Sequence, residues 1–422
     1  MAAAQAAYRQ AETLLREAKD PAASKVAFEK FFEATDHVAT TIVQAAEQAL
    51  ADEDDEEPER FTQDGRTWVR VLRAPATYVS IRGRYVIDRS RYRDTAQRNG
   101  PTRCLYDERR GIGLCGYQPG LTAVVVESVA RLPATAASTL LQKVLGFALP
   151  PSTLKKVTAQ IGGELRALEP EVFATCFAMH EVPAEARTLV ISEDGLHVPI
   201  RKEGYKQAMV ATISLLDSQG ERLSTIVLSE MPEAGKVTLH ARLAREVAAI
   251  LRQRPELQTE VVIDGALDLR DAMRVHFPGA LHVTDFFHVA EHVCDALGHL
   301  YPDDPARRAQ EKQRWCEALK HQVGAALELH AWLWEQSKAS GMSGWRREQA
   351  QKHAEYVYGQ RAYTQYPQAA NDQIALGSGV VEAGGKTVFT QRRKISGAQW
   401  SRHGGAAISY VRELLLSDRS EE

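Results

Sequence analysis

The chain of 422 residues is long enough for two or three domains with a substantial buried core. Its 44% hydrophobic residues, 25% charged residues and net charge of −3 are those of an ordinary globular protein. No apolar run approaches the roughly 18 residues of a membrane helix, and the five cysteines form no CxxC pair. We therefore expect a soluble protein of a reducing, intracellular compartment.

The N-terminal part combines a helical pattern with a strongly basic segment. Residues 1–50 are rich in alanine and carry an apolar face at helical spacing, and the acidic run 51–60 ends this unit. Residues 67–93 alternate tyrosine and valine with arginine, which is typical of short strands. Between Arg66 and Arg110, twelve arginines stand against four acidic residues, an excess of eight positive charges that suits a polyanionic partner.

A helix-turn-helix-like pattern follows in residues 119–165. Two short helical segments are separated by Gly146 and by a Pro-Pro-Ser turn at 150–152. Lys155 and Lys156 stand near the start of the second segment, where side chains can contact DNA. Many two-helix units without a nucleic-acid partner share this pattern, so DNA binding at these lysines is an interpretation.

Residues 186–300 have an order of elements that predicts an α/β fold, a mixed sheet with helices on its faces. Three strand patterns come first, and an Asp-Ser-Gln-Gly turn at 217–220 marks a hairpin between the second and the third. Helix and strand patterns then alternate, which is typical of parallel crossovers. The expected elements are strands 188–200, 207–216, 222–229, 260–264 and 281–284 and helices 236–254, 268–276 and 287–300.

The pattern after residue 300 is helical and rich in aromatic residues. We divide the chain into six regions on this basis. They are an N-terminal helical region 1–50, an acidic linker and basic β/loop region 51–118, a helix-turn-helix-like DNA-binding region 119–185, the first part of a catalytic core 186–300, an all-helical insertion 301–370 and the C-terminal helices of the core 371–422.

Two aspartates close apolar strand patterns of the core. Asp194 follows TLVISE, and Asp264 follows VVI directly before Gly265. Sites in α/β sheets form beyond strand ends, and neighbouring strands would bring the two carboxylates a few ångströms apart. Like charges at that distance repel one another, whereas clustered oxygen ligands suit Mg²⁺. Each aspartate taken singly has an alternative role as a turn residue.

A third carboxylate, Glu382, stands just past a Gly-Ser-Gly turn at an expected helix start. It would complete a site for two metal ions, which in phosphoryl transfer activate the attacking oxygen and stabilise the leaving one. The alternative is a solvated glutamate paired with Lys386, four residues along the helix. Two other acids compete with the aspartates, but Glu193 should point to the opposite strand face, and Asp268 falls within the following helix.

The helix after Glu382 is cationic. Lys386, Arg392, Arg393 and Lys394 follow with no acid among them. Such cations can hold a phosphate chain, so we expect several of them to contact DNA phosphates without reading bases. The alternative is a solvated basic face.

Asp285 and His288 form a further polar pair, three residues apart at an expected helix start. Asp285 suits an N-cap, and the pair could orient metal ligands through hydrogen bonds; the alternative is a cap beside a half-buried histidine. A zinc site of His288 and His292 lacks further ligands. Cys104 and Cys115 also offer only two thiols with no histidine nearby, so we expect buried or incidental cysteines.

These motifs resemble, in their order, the DDE transposases of the Mutator-like superfamily, and among them the bacterial ISKra-type insertion-sequence transposases. The matching segments are SEDGLHVPIR, VVIDGALDLRDAMRVHFPGALHVTDFFHVAEHV and GSGVVEAGGKTVFTQRRKISGAQWS, within roughly residues 120–415. The resemblance implies a ribonuclease-H-like core with an all-helical insertion. It also implies that Asp194, Asp264 and Glu382 are the catalytic, metal-binding triad and that Asp285 and His288 are the family's Cys-or-Asp-x-x-His element.

The resemblance further implies two Mg²⁺ ions, with Mn²⁺ as an alternative, and a homodimer or higher oligomer on double-stranded DNA in the bacterial cytoplasm, associated with the nucleoid. The expected reaction cleaves DNA at terminal inverted repeats and transfers the freed 3′-OH into target DNA. Two other functions would use the same residues. One is a non-catalytic DNA-binding protein derived from a transposase, and the other is a ribonuclease-H-like nuclease without strand transfer.

The chain departs from the family pattern in two places. Relatives often carry a CxxC-like zinc ribbon near the N-terminal unit, where this chain has only Cys104 and Cys115. Gly384 and Gly385 stand where relatives commonly carry alanine and cysteine. Because a helical glycine costs about 1 kcal/mol relative to alanine, this pair indicates either a tight backbone approach or a weakened helix.

Overall fold

The computed structural model describes residues 2–53, 59–173, 181–367, 377, 379–391 and 399–417, apart from the side chains of residues 2–4 and 114. The chain comprises two compact units, Met1–Gly162 and Gly163–Glu422. None of the described helices is both long and apolar enough to cross a membrane.

The first unit contains an antiparallel sheet that is four-stranded within the described residues, and helices before and after it. Its elements are α1 (Ala2–Glu17), α2 (Pro21–Glu53), β1 (Arg60–Gln63), β2 (Arg66–Ser80), β3 (Gly83–Asp94), β4 (Thr102–Arg103), α3 (Leu105–Arg109), α4 (Pro119–Arg131), α5 (Ala134–Leu145) and α6 (Pro151–Ala167), which crosses into the second unit.

The segment 67–93, expected as short strands, forms one long hairpin. β2 and β3 pair with a single bulge up to the reversal at Ser80 and Gly83. Gly83 has a φ of +139°, which a residue without a side chain adopts readily. Tyr78 and Tyr85 are buried against each other, and buried residues alternate with more exposed ones along much of β3, whereas β2 ends in three consecutive buried residues.

The second unit is built on a mixed sheet, as the sequence predicts. Its strands are β5 (Thr188–Ile200), β6 (Gly204–Leu216), β7 (Arg222–Glu230), β8 (Gln258–Ile263) and β9 (Leu281–Thr284). Their order is β7-β6-β5-β8-β9. The first three strands pair antiparallel, including the expected hairpin, whereas β8 runs parallel to β5, and β9 runs parallel to β8.

Helices cover both faces of this sheet, as parallel strands require. They are α7 (Val237–Gln253), α8 (Leu267–His276), α9 (Phe286–Leu300), α10 (Pro305–His321), α11 (Ala325–Gln336), α12 (Gly344–Gln360), α13 (Gly379–Gly385) and α14 (Arg402–Leu416). α7 and α8 pack on the face of Ile191 and Val261. α9 to α12 pack on the opposite face, against Val190 and Val262. The described part of 301–370 contains helices and no strand.

Gly384 and Gly385 lie where α13 approaches the sheet most closely. A Cβ atom on Gly384 would lie 3.3 Å from Thr212 Cγ2, and one on Gly385 would lie 3.3 Å from Val210 Cγ1. Both glycines are buried. Of the two alternatives drawn from the sequence, the structure therefore favours a tight backbone approach, which lets α13 lie directly on β6.

A buried ionic network ties α14 to the sheet. Arg242 of α7 donates hydrogen bonds to Glu413 Oε2 at 2.5 Å and to Glu169 Oε1 at 2.6 Å. Glu413 Oε1 accepts from both the backbone N–H and the hydroxyl of Ser229 in β7. Arg412, the neighbour of Glu413, donates to the Thr387 carbonyl just beyond α13. The network therefore fixes the helix that supports the end of α13.

Glu413→Ala should lower the free energy of unfolding by about 3–5 kcal/mol, because it removes one carboxylate partner of a buried guanidinium. The control is Glu203→Ala, which breaks the exposed pair with Arg402 and should cost at most about 1 kcal/mol. Chemical denaturation measures both values. Equal losses in the two variants would contradict a structural role for the buried network.

Candidate active site

Asp194 and Asp264 lie on neighbouring parallel strands, as the sequence predicts. β5 and β8 pair with Ile191 opposite Val261. This pair is the last of the register; Asp194 lies three residues further along β5, and Asp264 directly follows the end of β8. The charge of Asp264 acts on the Asp194 carboxyl group, so the two aspartates lie near each other.

The two aspartates differ in their position along the strands. β5 spans the predicted residues 188–200 and pairs with β6 throughout, so Asp194 lies within its strand and not at its end. β8 ends at Ile263, and Gly265, with a φ of +86°, turns the chain away. Asp264 Oδ1 accepts the Ala266 N–H at 2.9 Å, which holds its carboxylate in this turn. The candidate site therefore lies at the step where β5 extends past β8.

Glu382 lies on α13, which begins at Gly379 as the sequence predicts. Its charge acts on Asp194, so it lies near the part of β5 that extends past β8. One carboxylate oxygen of Glu382, one of Asp285 and a ring nitrogen of His288 all lie within 4.8 Å of one another. Within the described ranges, this is the one group of three or more potential metal-ligating side chains at such distances, and the predicted set of Asp194, Asp264 and Glu382 does not form one. Glu382 is exposed and Asp285 is buried, so the cluster opens to solvent on the Glu382 side.

The alternative pairing of Glu382 with Lys386 does not form. Both residues are described, and no ion pair joins them. Lys386 lies exposed at the start of a π-helical turn that extends to Thr390.

Asp285 caps α9, as expected for this position. Its Oδ1 accepts the N–H of Phe287 at 2.6 Å, and its own N–H donates to the Ile263 carbonyl at the end of β8. His288 Nδ1 lies 3.7 Å from Asp285 Oδ2. The Asp285 carboxylate raises the pKa of His288 to about 9, against the opposing effect of burial, and Asp264 raises it further. His288 is therefore the positive group of the cluster at neutral pH.

The electrostatics of Asp194 link the three predicted carboxylates. Burial raises the pKa of Asp194, and the charges of Asp264 and Glu382 raise it further, whereas the Gly195 N–H and His288 lower it. Among the residues that the structure describes, no lysine or arginine forms an ion pair with any of the three carboxylates. A set of hard oxygen donors with excess negative charge fits a divalent cation such as Mg²⁺.

The competing acids are engaged elsewhere. Glu193 points to the opposite face of β5, as predicted, and its carboxylate lies 3.0 Å from His240 Nε2 of α7. Asp268 accepts a hydrogen bond of 2.6 Å from Lys236, which lowers the pKa of this carboxyl group. Neither acid belongs to the cluster around Asp194.

The predicted DNA-binding residues fall in several places. Lys155 and Lys156 lie exposed in the first two turns of α6, and Lys386 lies exposed at the start of the π-helical turn. Arg392, Arg393 and Lys394 lie outside the described residues. Of the described cations of this set, Lys386 directly follows the helix that carries Glu382.

Part of the basic charge in the first unit is neutralised within that unit. Acids outside the counted segment contribute: Arg70 lies 3.5 Å from Glu59, and Arg110 lies 3.7 Å from Glu47. Arg73 pairs with Asp52 of α2 at 2.5 Å. The excess of eight charges counted from the sequence therefore overstates the charge available to a polyanion.

Cys104 and Cys115 differ in their exposure. Cys104 is buried and Cys115 is exposed, and both are free thiols. Neither belongs to a group of three metal-ligating side chains in the part of the chain that the structure describes. His292 Nδ1 lies 2.9 Å from His353 Nδ1, so this histidine contacts α12.

Two residues at the site were missed by sequence reasoning. Tyr356 and Gln360 of α12 donate hydrogen bonds to the backbone carbonyls of Asp264 and Gly265. Both residues are more than ninety positions along the chain from their acceptors. The aromatic character of this helix is visible in the sequence, but its contact with the β8 turn has no sequence signal.

No known family model matches the chain, and a search of curated proteins finds no match either. The arrangement of the side chains is therefore what any functional assignment has to rest on.

The thermal stability that His288 adds to the metal-free protein should fall as the pH rises. A histidine in an unfolded chain titrates near pH 6.5, and the pKa of His288 in the folded protein is about 9. Its contribution is therefore complete below pH 6.5 and is lost as the pH rises through 9. Thermal unfolding in a chelating buffer should show a larger loss for His288→Ala at pH 6 than at pH 10. The control is His197→Ala, at an exposed position of β5, which should show no such trend. A loss for His288→Ala that does not change with pH would refute the pairing of His288 with Asp285.

Proposed function

We propose that this chain is a DDE transposase, which cleaves and joins DNA strands by metal-dependent phosphoryl transfer. The proposal includes membership of the Mutator-like superfamily, close to the bacterial ISKra-type insertion-sequence enzymes. The observations that carry it are the raised pKa of Asp194, to which the charges of Asp264 and Glu382 contribute beside burial, and the group that Glu382 forms with Asp285 and His288; among the described residues no lysine or arginine forms an ion pair with the three carboxylates.

The topology of the second unit supports the ribonuclease-H-like core that the resemblance implies. The sheet begins with three antiparallel strands, and two parallel strands are added beside the first of them. The aspartates lie on the first strand and directly after the fourth. The helices α10 to α12 fall between the last strand and the glutamate helix, which is where the resemblance places an all-helical insertion.

The residues suggest a division of tasks. Asp194, Asp264 and Glu382 would hold two Mg²⁺ ions, with Mn²⁺ as an alternative, and bound ions of this kind activate the attacking oxygen and stabilise the leaving one. His288, protonated at neutral pH, offsets negative charge beside Glu382, and Asp285 holds His288 at the start of α9. The exposure of Glu382 and Lys386 leaves the cluster accessible to a DNA strand.

The substrate under this proposal is double-stranded DNA, as terminal inverted repeats and as target. Hydrolysis of a phosphodiester at the element's end would free a 3′-OH, which would then attack a phosphodiester of the target. Lys155 and Lys156 are exposed near the start of one helix, where they can contact backbone phosphates. A homodimer or higher oligomer would hold two ends together.

Asp194→Ala, Asp264→Ala and Glu382→Gln should each abolish cleavage and leave DNA binding intact, because the acids bind metal and not the duplex. The assay uses a supercoiled plasmid that carries the DNA flanking the gene, with Mg²⁺, and a second plasmid without that DNA. Asp268→Ala is the matched control, since Asp268 pairs with Lys236, and it should cleave like the wild type.

The same assay separates the three candidate functions. Cleavage at the flanking DNA followed by insertion supports the transposase. Cleavage of both plasmids without insertion would identify a nuclease, and binding without cleavage would identify a non-catalytic protein. Near-normal cleavage by any of the three acid variants would remove that residue from the assignment.

Lys155→Ala, Lys156→Ala and Lys386→Ala should weaken DNA binding about equally on all sequences. Each lost phosphate contact should lower the slope of log K against log salt by about 0.9. Fluorescence anisotropy over a salt series measures this slope. Lys338→Ala is the control, because Lys338 pairs with Glu335 at 3.0 Å. An unchanged slope in a variant would show that its lysine makes no phosphate contact.

A further inference from the structure

The turn that carries Asp264 is held by a helix distant in the sequence. Tyr356 Oη donates a hydrogen bond of 2.7 Å to the Asp264 carbonyl oxygen. Gln360 Nε2 donates one of 3.2 Å to the next carbonyl, that of Gly265. The two donors are four residues apart, so they lie on one face of α12. A single helix face therefore fixes two successive carbonyls of this turn.

Gly265 brings the turn and the helix into direct contact. Its φ of +86° lies in the left-handed region that favours glycine. A Cβ atom at this position would lie 2.8 Å from Tyr356 Oη and 3.0 Å from Gln360 Nε2. The absence of a side chain is thus what allows both hydrogen bonds to form.

Gln360 also joins the ends of two strands. The residue is 4% exposed, and its Oε1 accepts hydrogen bonds from Thr284 Oγ1 at 2.9 Å and from Arg270 at 3.0 Å. Thr284 is the last residue of β9 and directly precedes Asp285. The amide nitrogen of Gln360 therefore holds the β8 turn while its oxygen holds the end of β9.

The ring of Tyr356 is fixed independently of its hydroxyl group. It stacks on His292 of α9, with ring centroids 3.6 Å apart and planes 7° apart. Phenylalanine at this position would keep the stack and lose only the hydrogen bond to Asp264. Tyr356→Phe is therefore a selective probe of that bond.

We propose that Tyr356 and Gln360 are positioning residues that set the orientation of the Asp264 carboxylate and so its affinity for a divalent cation. This inference rests on the proposed function. Asp264 Oδ1 is hydrogen-bonded to Ala266 within the same turn, so a shift of the turn's carbonyls also shifts the carboxylate. The helical segment that contains α12 is thus part of the framework of the site.

Titration calorimetry with Mn²⁺ alone, in the absence of DNA, tests the inference. Tyr356→Phe and Gln360→Glu should each weaken Mn²⁺ binding about 10- to 100-fold, as changes beside metal ligands commonly do. The Mn²⁺ concentration for half-maximal cleavage should rise by the same factor, while the thermal midpoint and the DNA affinity in chelator stay at wild-type values. Tyr358→Phe is the matched control, because the Tyr358 ring packs on Arg361 and His330, and it should bind Mn²⁺ like the wild type.

The outcomes separate the inference from the proposed function. Wild-type Mn²⁺ affinity in both variants, or a weakening shared by Tyr358→Phe, would overturn the inference and leave the function standing. A loss of affinity that only accompanies a lowered thermal midpoint would also overturn it, because the residues would then act through stability. Unchanged Mn²⁺ binding in Asp264→Ala would overturn the proposed function and the inference with it.

Discussion

The mutual repulsion of Asp194, Asp264 and Glu382 is the constraint on which the second unit depends. At about 5 Å, and with an effective dielectric constant near 20, two like unit charges repel by about 3 kcal/mol. The raised pKa of Asp194 reflects this repulsion together with burial. A site of this kind is stable only if rigid surroundings hold the carboxylates together, or if a cation neutralises them.

The surroundings supply that rigidity through backbone contacts. The Asp285 N–H donates to the Ile263 carbonyl, which joins the start of α9 to the end of β8. Gly384 and Gly385 let α13 lie directly on β6, and the buried Arg242 network fixes α14 beside it. Each of these contacts links two elements that carry or support a carboxylate. The carboxylates therefore sit on strands and helices whose positions are determined by packing, which favours a site with fixed geometry.

The sequence was sufficient where local patterns decide the structure. Strand periodicity predicted the mixed sheet, the parity of strand residues predicted that Glu193 and Asp194 face opposite sides, and capping preference predicted the role of Asp285. It was insufficient where distant segments meet. The sequence left open whether Gly384 and Gly385 mark a tight approach or a weakened helix, and the contact with Thr212 and Val210 of β6 decides it. The tyrosine and glutamine of α12 gave no local signal, because their role arises only from a contact across ninety residues.

The location of bound Mn²⁺ tests most directly whether Asp194, Asp264 and Glu382 form a metal site. Crystals soaked in Mn²⁺ and measured at the manganese absorption edge would show each ion as an anomalous peak. If these three residues form the metal site, the peaks should be ligated by Asp194, Asp264 and Glu382 together. A peak ligated by Asp285, His288 and Glu382 without the two strand aspartates, or no peak at this step of the sheet, would contradict it.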